Sequence, residues 1–426
     1  MKHIGDIYQL ENQTPEVILE RAKYTGTISN RCAKFPVTFH VSAGANFRLS
    51  IEVDPVSIQI ALGVRSETFE LGSASRSMLL EGKAENGNAF FSDCVDLISW
   101  STGTKGNSIQ VSAGVAKVTI AREETISRPL AKIWFRNFKS FKTPVIRNSL
   151  GQIEVWGNVE SLPTDEVSGS IAVQAGEESD GRSWIERADH FLDYMRHGLA
   201  FAHGSRLQSP RKDVYKEKIL ETTFYQGSGF SSNLAPIHYL NQGPFIEALV
   251  KRYDETVPFP DILWTAVGWI QSDARFNEVR FLTSMTALEA IVEHLIPKTL
   301  TTVMPKANFE GIRDQLLEII ANSSASKSEQ EILEGKIKGL NGRTLSQKVE
   351  ALLKHYNLSN EIFNSLSIAD LIKTRNKITH TGLPPEVDIW SKIVLVRELV
   401  TQIVFREVNY VGQYQSFVPS YRMVNP

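Results

Sequence analysis

The chain has 426 residues, enough for two or three domains at roughly 100–200 residues each. Hydrophobic residues make up 42% and charged residues 22%, which excludes wholesale disorder, because a disordered chain is too poor in apolar residues to form a core. The 46 Lys and Arg against 48 Asp and Glu leave a net charge of −2, which argues against nucleic-acid binding by bulk positive charge and allows only a local basic patch. Cys32 and Cys94 are too few for a disulfide scaffold or a Cys-rich zinc site, and they fit a reducing compartment. Residues Met1 to Gln13 include Asp6 and Glu11 and no apolar run, so no secretory signal is expected there. No stretch approaches the roughly 18 apolar residues of a membrane span. A cytoplasmic chain with no membrane partner is the expectation.

Up to about residue 175 the apolar segments are short, alternating and rich in β-branched residues. They are Val37–Val41, Leu49–Val53, Val56–Ala61, Ile109–Ser112, Val115–Ile120, Ile153–Trp156 and Ile171–Val173. Between them lie turn-forming clusters such as Glu85-Asn86-Gly87-Asn88 and Ser101-Thr102-Gly103-Thr104. Many short strands at this spacing predict a sandwich or a barrel, with a sandwich-like domain over 1–175 as the working expectation. The polar, glycine-bearing stretch Gln174–Arg182 reads as its boundary.

From Ser183 the period lengthens. Trp184, Ala188, Phe191, Leu192, Met195, Leu199 and Ala202 recur at three- and four-residue steps, as one buried helix face requires. Similar patterns cover Pro244–Tyr253, Phe276–Leu295, Phe309–Ala321, Thr344–Tyr356, Ser359–Thr379 and Glu386–Glu407. Pro258 and Pro260 separate two of these helices, and Pro384-Pro385 separates the last two. Asn322–Gly342, rich in Ser, Lys and Glu, is expected to contain a mobile loop. The fold class is therefore α+β and multidomain. A β-rich half precedes a connecting helical region over 176–260 and an all-α bundle over 261–426.

Common site patterns are missing. Gly227-Ser228-Gly229 lacks the third glycine of a dinucleotide fingerprint, and no phosphate loop or serine-hydrolase elbow occurs. His190 and His197 flank Asp193 on one predicted helix without a third group at metal-ligand spacing, so packed or solvated side chains explain them best. Lys132–Arg147 interleaves Lys132, Arg136, Lys139, Lys142 and Arg147 with Trp134, Phe135, Phe138 and Phe141. Such a pattern suits a single-strand-binding surface, where cations hold phosphates and rings stack bases. The plainer account puts the aromatics in the β core and the cations in solvent.

Ile368–Pro385 is the most informative segment. Ile368, Leu371, Ile372 and Ile378 fit a helix, and Gly382 and the proline pair would end it. Near that end Asn376 and His380, four apart, share a face, so the amide can orient the imidazole. Arg375 is turned from His380 by about 140° at roughly 100° per residue. Arg196 and His203 satisfy a looser form of the same spacing. The Asn after Arg375 and the helix stop favour the later pair.

The Arg375-Asn376-x-x-x-His380 run resembles the signature of HEPN domains, compact helical bundles that often act as ribonucleases. The helix around Leu282–Ile291, with its embedded Glu289, is similar to an earlier HEPN helix, and a β-rich half before a HEPN bundle resembles ApeA-type anti-phage proteins. The resemblance implies a metal-independent endoribonuclease leaving a 2′,3′-cyclic phosphate or 3′-phosphate end. It also implies a homodimer or higher homo-oligomer, a phage-protein trigger sensed by the β half, and abortive infection as the outcome.

In such chemistry His380 suits proton transfer near neutral pH and Arg375 suits the phosphate oxygens, while Asn376 orients the imidazole or bonds the phosphate. Lys373 and Lys377 are the substrate-binding candidates, and no metal or cofactor is expected. Glu289, costly on an apolar helix unless paired, finds a possible partner in Arg375. A non-catalytic HEPN-type binding or scaffold protein, with a structural Arg-Asn-x-x-x-His run, is the alternative.

Overall fold

The computed structural model describes residues 19–30, 33–44, 46–65, 78–103, 106–123, 125–140, 145–159, 166–176, 181–227, 234–272, 274–358, 361–382, 388–418 and 422–426. The chain forms two compact units, Met1–Asp254 and Glu255–Pro426.

The first unit begins with β1 (Ala22–Ser29), β2 (Lys34–Ala43), β3 (Leu49–Val53), helix α1 (Ile58–Arg65), β4 (Met78–Lys83), β5 (Ala89–Gly103) and β6 (Gly106–Ala113). These strands pair in the order β4-β1-β2-β3-β6-β5, and β5 also pairs with β4, so the ring closes into a barrel. Alternation fills it: Val37, Phe39, Val41 and Ala43 of β2 are buried at every second position. Phe39 stacks on Tyr24 at 5.5 Å and meets Phe90 edge-on at 5.4 Å. The expected strand Val56–Ala61 is replaced by α1, because Ser57 starts a helix there. Its hydroxyl accepts from the Ile60 N–H at 3.3 Å and its carbonyl from Ala61 at 3.0 Å.

β7 (Val115–Ala121), β8 (Leu130–Arg136), β9 (Ile146–Asn148), β10 (Gly151–Gly157), β11 (Val167–Ala175), α2 (Gly181–His203), β12 (Gln208–Lys216), β13 (Ile219–Tyr225) and α3 (Gln242–Tyr253) complete the unit. The sandwich-like expectation is corrected here: an open sheet, β7-β13-β12-β8-β11-β10-β9, grows out of the barrel. The fork lies at Gly114. On one side β6 and β7 together track the 15-residue β5, while on the other β6 faces β3 and β7 faces β13. A Cβ at Gly114 would crowd the Cys94 sulfur at 3.0 Å. The expected domain limits move as well. β12 and β13 follow α2 in the chain but lie between β7 and β8, so 176–260 is not a separate helical connector.

Helix α2 buries its predicted face, Trp184 to Ala202, against β8 and β11. The Lys132–Arg147 segment supplies β8, and the plainer account holds for its described aromatics and for exposed Arg147 but not for two of its cations. Trp134, Phe135 and Phe138 are buried, but so are Lys132 and Arg136. The Lys132 ammonium lies 3.6 Å from the Trp134 ring centroid, and Arg136 donates to the Asn46 carbonyl. Phe141 and Lys142 lie outside the described residues.

A sealed polar network crosses the sheet. The Asp213 carboxylate accepts from Arg211 Nε at 2.8 Å, Trp134 Nε1 at 2.7 Å and Thr222 Oγ1 at 2.8 Å. Removing it would strand the buried Arg211 charge.

The second unit contains α4 (Asp261–Ile270), α5 (Asn277–Leu295), α6 (Lys306–Ala321), α7 (Lys327–Gly339), α8 (Leu345–His355), α9 (Ser365–Thr381), α10 (Ile389–Glu407), and the short pair β14 (Tyr414–Ser416) and β15 (Arg422–Val424). α5 is its hub, packing against α4, α8, α9 and α10. The loop expected over Asn322–Gly342 is mostly α7, started by a capping box in which Ser326 and Glu329 satisfy each other's backbone N–H groups. The proline pair Pro384-Pro385 lies outside the described residues. No described helix is long and apolar enough to cross a membrane.

Two outcomes follow for the first unit. Asp213→Ala should destabilise it by about 3–5 kcal/mol, read from its chemical-denaturation transition. At the end of α2, burial holds the His203 imidazole below its ordinary 6.5, helped by Lys139 and opposed by a bond to the Asn137 carbonyl. The unfolded chain therefore takes up this proton first as pH falls, so stability is full above 6.5 and declines below it. Melting scans from about pH 7 to about pH 5 should show that decline, and His203→Gln should make it shallower.

Candidate active site

Helix α9 is set at both ends. The Asn364 side chain accepts from the Ser367 N–H at 2.9 Å. Gly382 adopts a left-handed φ of 66° and returns its N–H to the Ile378 carbonyl. Ile368, Leu371, Thr374 and Ile378 face the bundle. By helical spacing this leaves Lys373, Asn376, Lys377 and His380 on one exposed stripe, and all four are exposed.

Arg375 lies off that stripe, about 140° round the helix from His380, and reaches α5. Its Nε lies 3.1 Å from Glu289 Oε1 and its Nη2 donates to Glu289 Oε2 at 3.3 Å, a fork on both carboxylate oxygens. Its Nη1 donates to Asn376 Oδ1 at 3.2 Å. Both side chains of the ion pair are about one-third exposed, 33% and 31%. Three of the sequence candidates, Arg375, Asn376 and Glu289, thus meet across α5 and α9. His380 stands apart, making no hydrogen bond or ion pair with a described residue. The Asn376 carbonyl oxygen serves the guanidinium and not the imidazole.

Chemically, the stripe offers two ammonium groups, an amide and an imidazole to solvent. Off the stripe, on the α5 side, a guanidinium is held by a carboxylate on both of its oxygens. Such a set can bind phosphate and move a proton. Among the described residues no three His, Cys, Asp or Glu side chains come together as a metal site would require.

Arg196, His197 and His190 of α2 have partners of their own. Arg196 and His197 both hold Asp193, at 2.5 Å and 3.5 Å, and keep its carboxyl well below the usual range, His197 contributing most. His190 bonds the Tyr253 hydroxyl at 3.0 Å. One pair escaped the sequence reading. Arg397 of α10 is pushed down to about 10 by burial and by the neighbouring Arg280 of α5. An arginine inside the apolar run Ile393–Val400 was the available signal. Arg280 is nine residues before Glu289, about half a turn round α5, so this pair lies away from Arg375.

No family model matches the chain, and no curated protein or solved structure matches it.

An ion pair this exposed contributes little. Glu289→Gln should change the stability of the second unit by no more than about 1 kcal/mol, checked by thermal melting.

Proposed function

We propose that the chain is a metal-independent endoribonuclease of the HEPN type, controlled by its β unit and acting in the cytoplasm in anti-phage defence by abortive infection. The observation that carries this reading is the Arg375 fork on Glu289, with Asn376 bound to the same guanidinium and His380 exposed near the end of the same helix. Cleavage of an RNA strand needs the 2′-OH deprotonated, the crowded phosphate stabilised and the leaving 5′-oxygen protonated. The 2′-oxygen forms a bond to phosphorus as the bond to the 5′-oxygen breaks, leaving a 2′,3′-cyclic phosphate. Arg375 supplies charge to the phosphate, Lys373 and Lys377 hold flanking phosphates, and His380 exchanges protons.

One imidazole cannot serve as base and acid at the same instant. Two copies of the chain, joined across a two-fold axis at the ends of α9, supply a His380 for each task and bring both Arg375 groups to one phosphate. Helical geometry favours this, since Arg375 and His380 diverge by about 140° around one helix. A second reading has its own support. Arg375 is already neutralised by Glu289, as in a purely structural clasp, and a non-catalytic binding or scaffold protein would keep it so.

Purified protein incubated with total RNA in EDTA separates the two. The ribonuclease reading expects cleavage by wild type, with His380→Ala and Arg375→Ala losing at least about 100-fold. Equal cleavage by wild type and both variants would remove it. For the shared site, the mass in solution should be that of a dimer or larger, and adding inactive His380→Ala should suppress wild-type activity. Full activity from a strict monomer overturns that part.

A further inference from the structure

The two sequence features with no part in the proposed chemistry, the basic–aromatic segment and the Arg196 helix, converge on one cavity of the first unit. Its volume is about 610 Å³. Small-molecule sites run from about 300 to 1,000 Å³, so it is of the size that holds one nucleotide-sized ligand. One wall is α2, with Asp189, Asp193 and Arg196, and the other is the sheet, with Ile133 and Arg136 of β8 and the start of β12.

The cavity exists because β12 bulges. Gln208 pairs with Arg136 and Arg211 with Trp134, so three steps along β12 match two along β8. Ser209 and Pro210 occupy the slack, and Pro210 has no N–H to lose from the ladder. The bulge leaves the Ser209 hydroxyl buried with no hydrogen-bond partner among the described residues. A buried hydroxyl of this kind is relieved by a ligand acceptor reached through rotation about χ1.

Charge in the cavity is unbalanced. Four cationic side chains line it, Arg136, Arg196, Arg206 and Lys212, against the carboxylates Asp189 and Asp193. Both carboxylates are already committed, Asp189 to Lys212 at 2.6 Å and Asp193 to Arg196 at 2.5 Å. Arg206 is exposed and makes no ion pair or hydrogen bond with a described residue. The positive surplus is thus displayed on a planar fork suited to phosphate oxygens. The 37%-exposed ring of Tyr225 also lines the cavity, as do the apolar Ile133, Leu207 and Pro210. A guanidinium with no partner among the described residues and an aromatic face, both lining one cavity, are the two groups that can hold a phosphate and a base.

We propose that this cavity binds a mononucleotide, its base against Tyr225 and its phosphate on Arg206. The inference does not depend on the ribonuclease reading, and it gives the β unit a small-molecule ligand of its own.

Isothermal titration calorimetry on the full chain tests it with the four ribonucleoside 5′-monophosphates, the corresponding nucleosides, inorganic phosphate and a short 5′-phosphorylated oligoribonucleotide. At least one monophosphate should bind in the micromolar range. Its nucleoside and inorganic phosphate should each bind at least about tenfold more weakly. Arg206→Ala and Tyr225→Ala should each weaken the monophosphate at least about tenfold. Arg206→Gln and Tyr225→Leu serve as milder replacements if circular dichroism shows either alanine variant misfolded. Four measurements overturn the proposal: no binding by any monophosphate, inorganic phosphate equal to the nucleotides, only the oligonucleotide binding, or affinity untouched by both substitutions. The readout is binding, so failure of RNA cleavage in the EDTA assay leaves this result standing on its own.

Discussion

A carboxylate with no access to water organises the β unit. Asp213 would be prohibitively expensive inside the sheet if left alone, since an isolated buried charge costs several kcal/mol. It is tolerated because donors from β8, β12 and β13 converge on it, from Trp134, Arg211 and Thr222. Arg211 in turn lies over Phe47 at 4.9 Å and Phe224 at 5.9 Å. Phe47 belongs to the connection between β2 and β3, so this one charge ties the barrel to the open sheet. The same constraint explains the cavity. From Arg211 onward β12 is pinned in register, and the mismatch with β8 is forced into Ser209 and Pro210 just before it.

The helical unit uses carboxylates at graded burial. Glu398 of α10 is sealed, with Tyr414 donating at 2.6 Å, Gln402 at 3.1 Å and the Phe417 N–H at 3.3 Å, so the closing hairpin is docked on the most buried helix. Burial and that carboxylate together push the Tyr414 hydroxyl well above its ordinary range, which keeps it a donor. Glu289 occupies the half-buried margin of α5 and takes its partner from another helix. Its charge fixes where Arg375 points without removing it from solvent.

Sequence pattern carried the parts of this fold that depend on local periodicity. The long faces of α2, α5, α8 and α10 repeat at 3.6, and the left-handed cap at Gly382 is a single-residue signal. The Glu289–Arg375 pairing was legible too, because an acid on an apolar helix needs a partner. Nonlocal features were not legible. β8 is buried along its whole length, so it shows no alternation, and its lysine and arginine are buried along with its rings. β12 and β13 enter the sheet far from their sequence neighbours, so the β unit runs past residue 175 to Asp254, close to the second expected limit at 260. Barrel closure rests on β4 meeting β5, a pairing no short window records. α7 was missed for a different reason: its capping box was present, but a Ser- and Lys-rich composition outweighed it.

Two arginine–carboxylate pairs of this chain differ above all in burial. Arg211 and Asp213 are 1% and 0% exposed, and Arg375 and Glu289 are 33% and 31% exposed. Breaking the first leaves a charge in a dry sheet, at about 3–5 kcal/mol, so no ligand can compete for that guanidinium. Opening the second costs about 0–1 kcal/mol, because water replaces what the carboxylate gave. A phosphate that offers charge-assisted bonds to the same fork can therefore displace or share it at little expense. The carboxylate holds the guanidinium in position beforehand, which would lower the ordering cost of the phosphate contact proposed for it. Burial rather than pair chemistry decides which arginine is a fastener and which stays open to an anion from solvent.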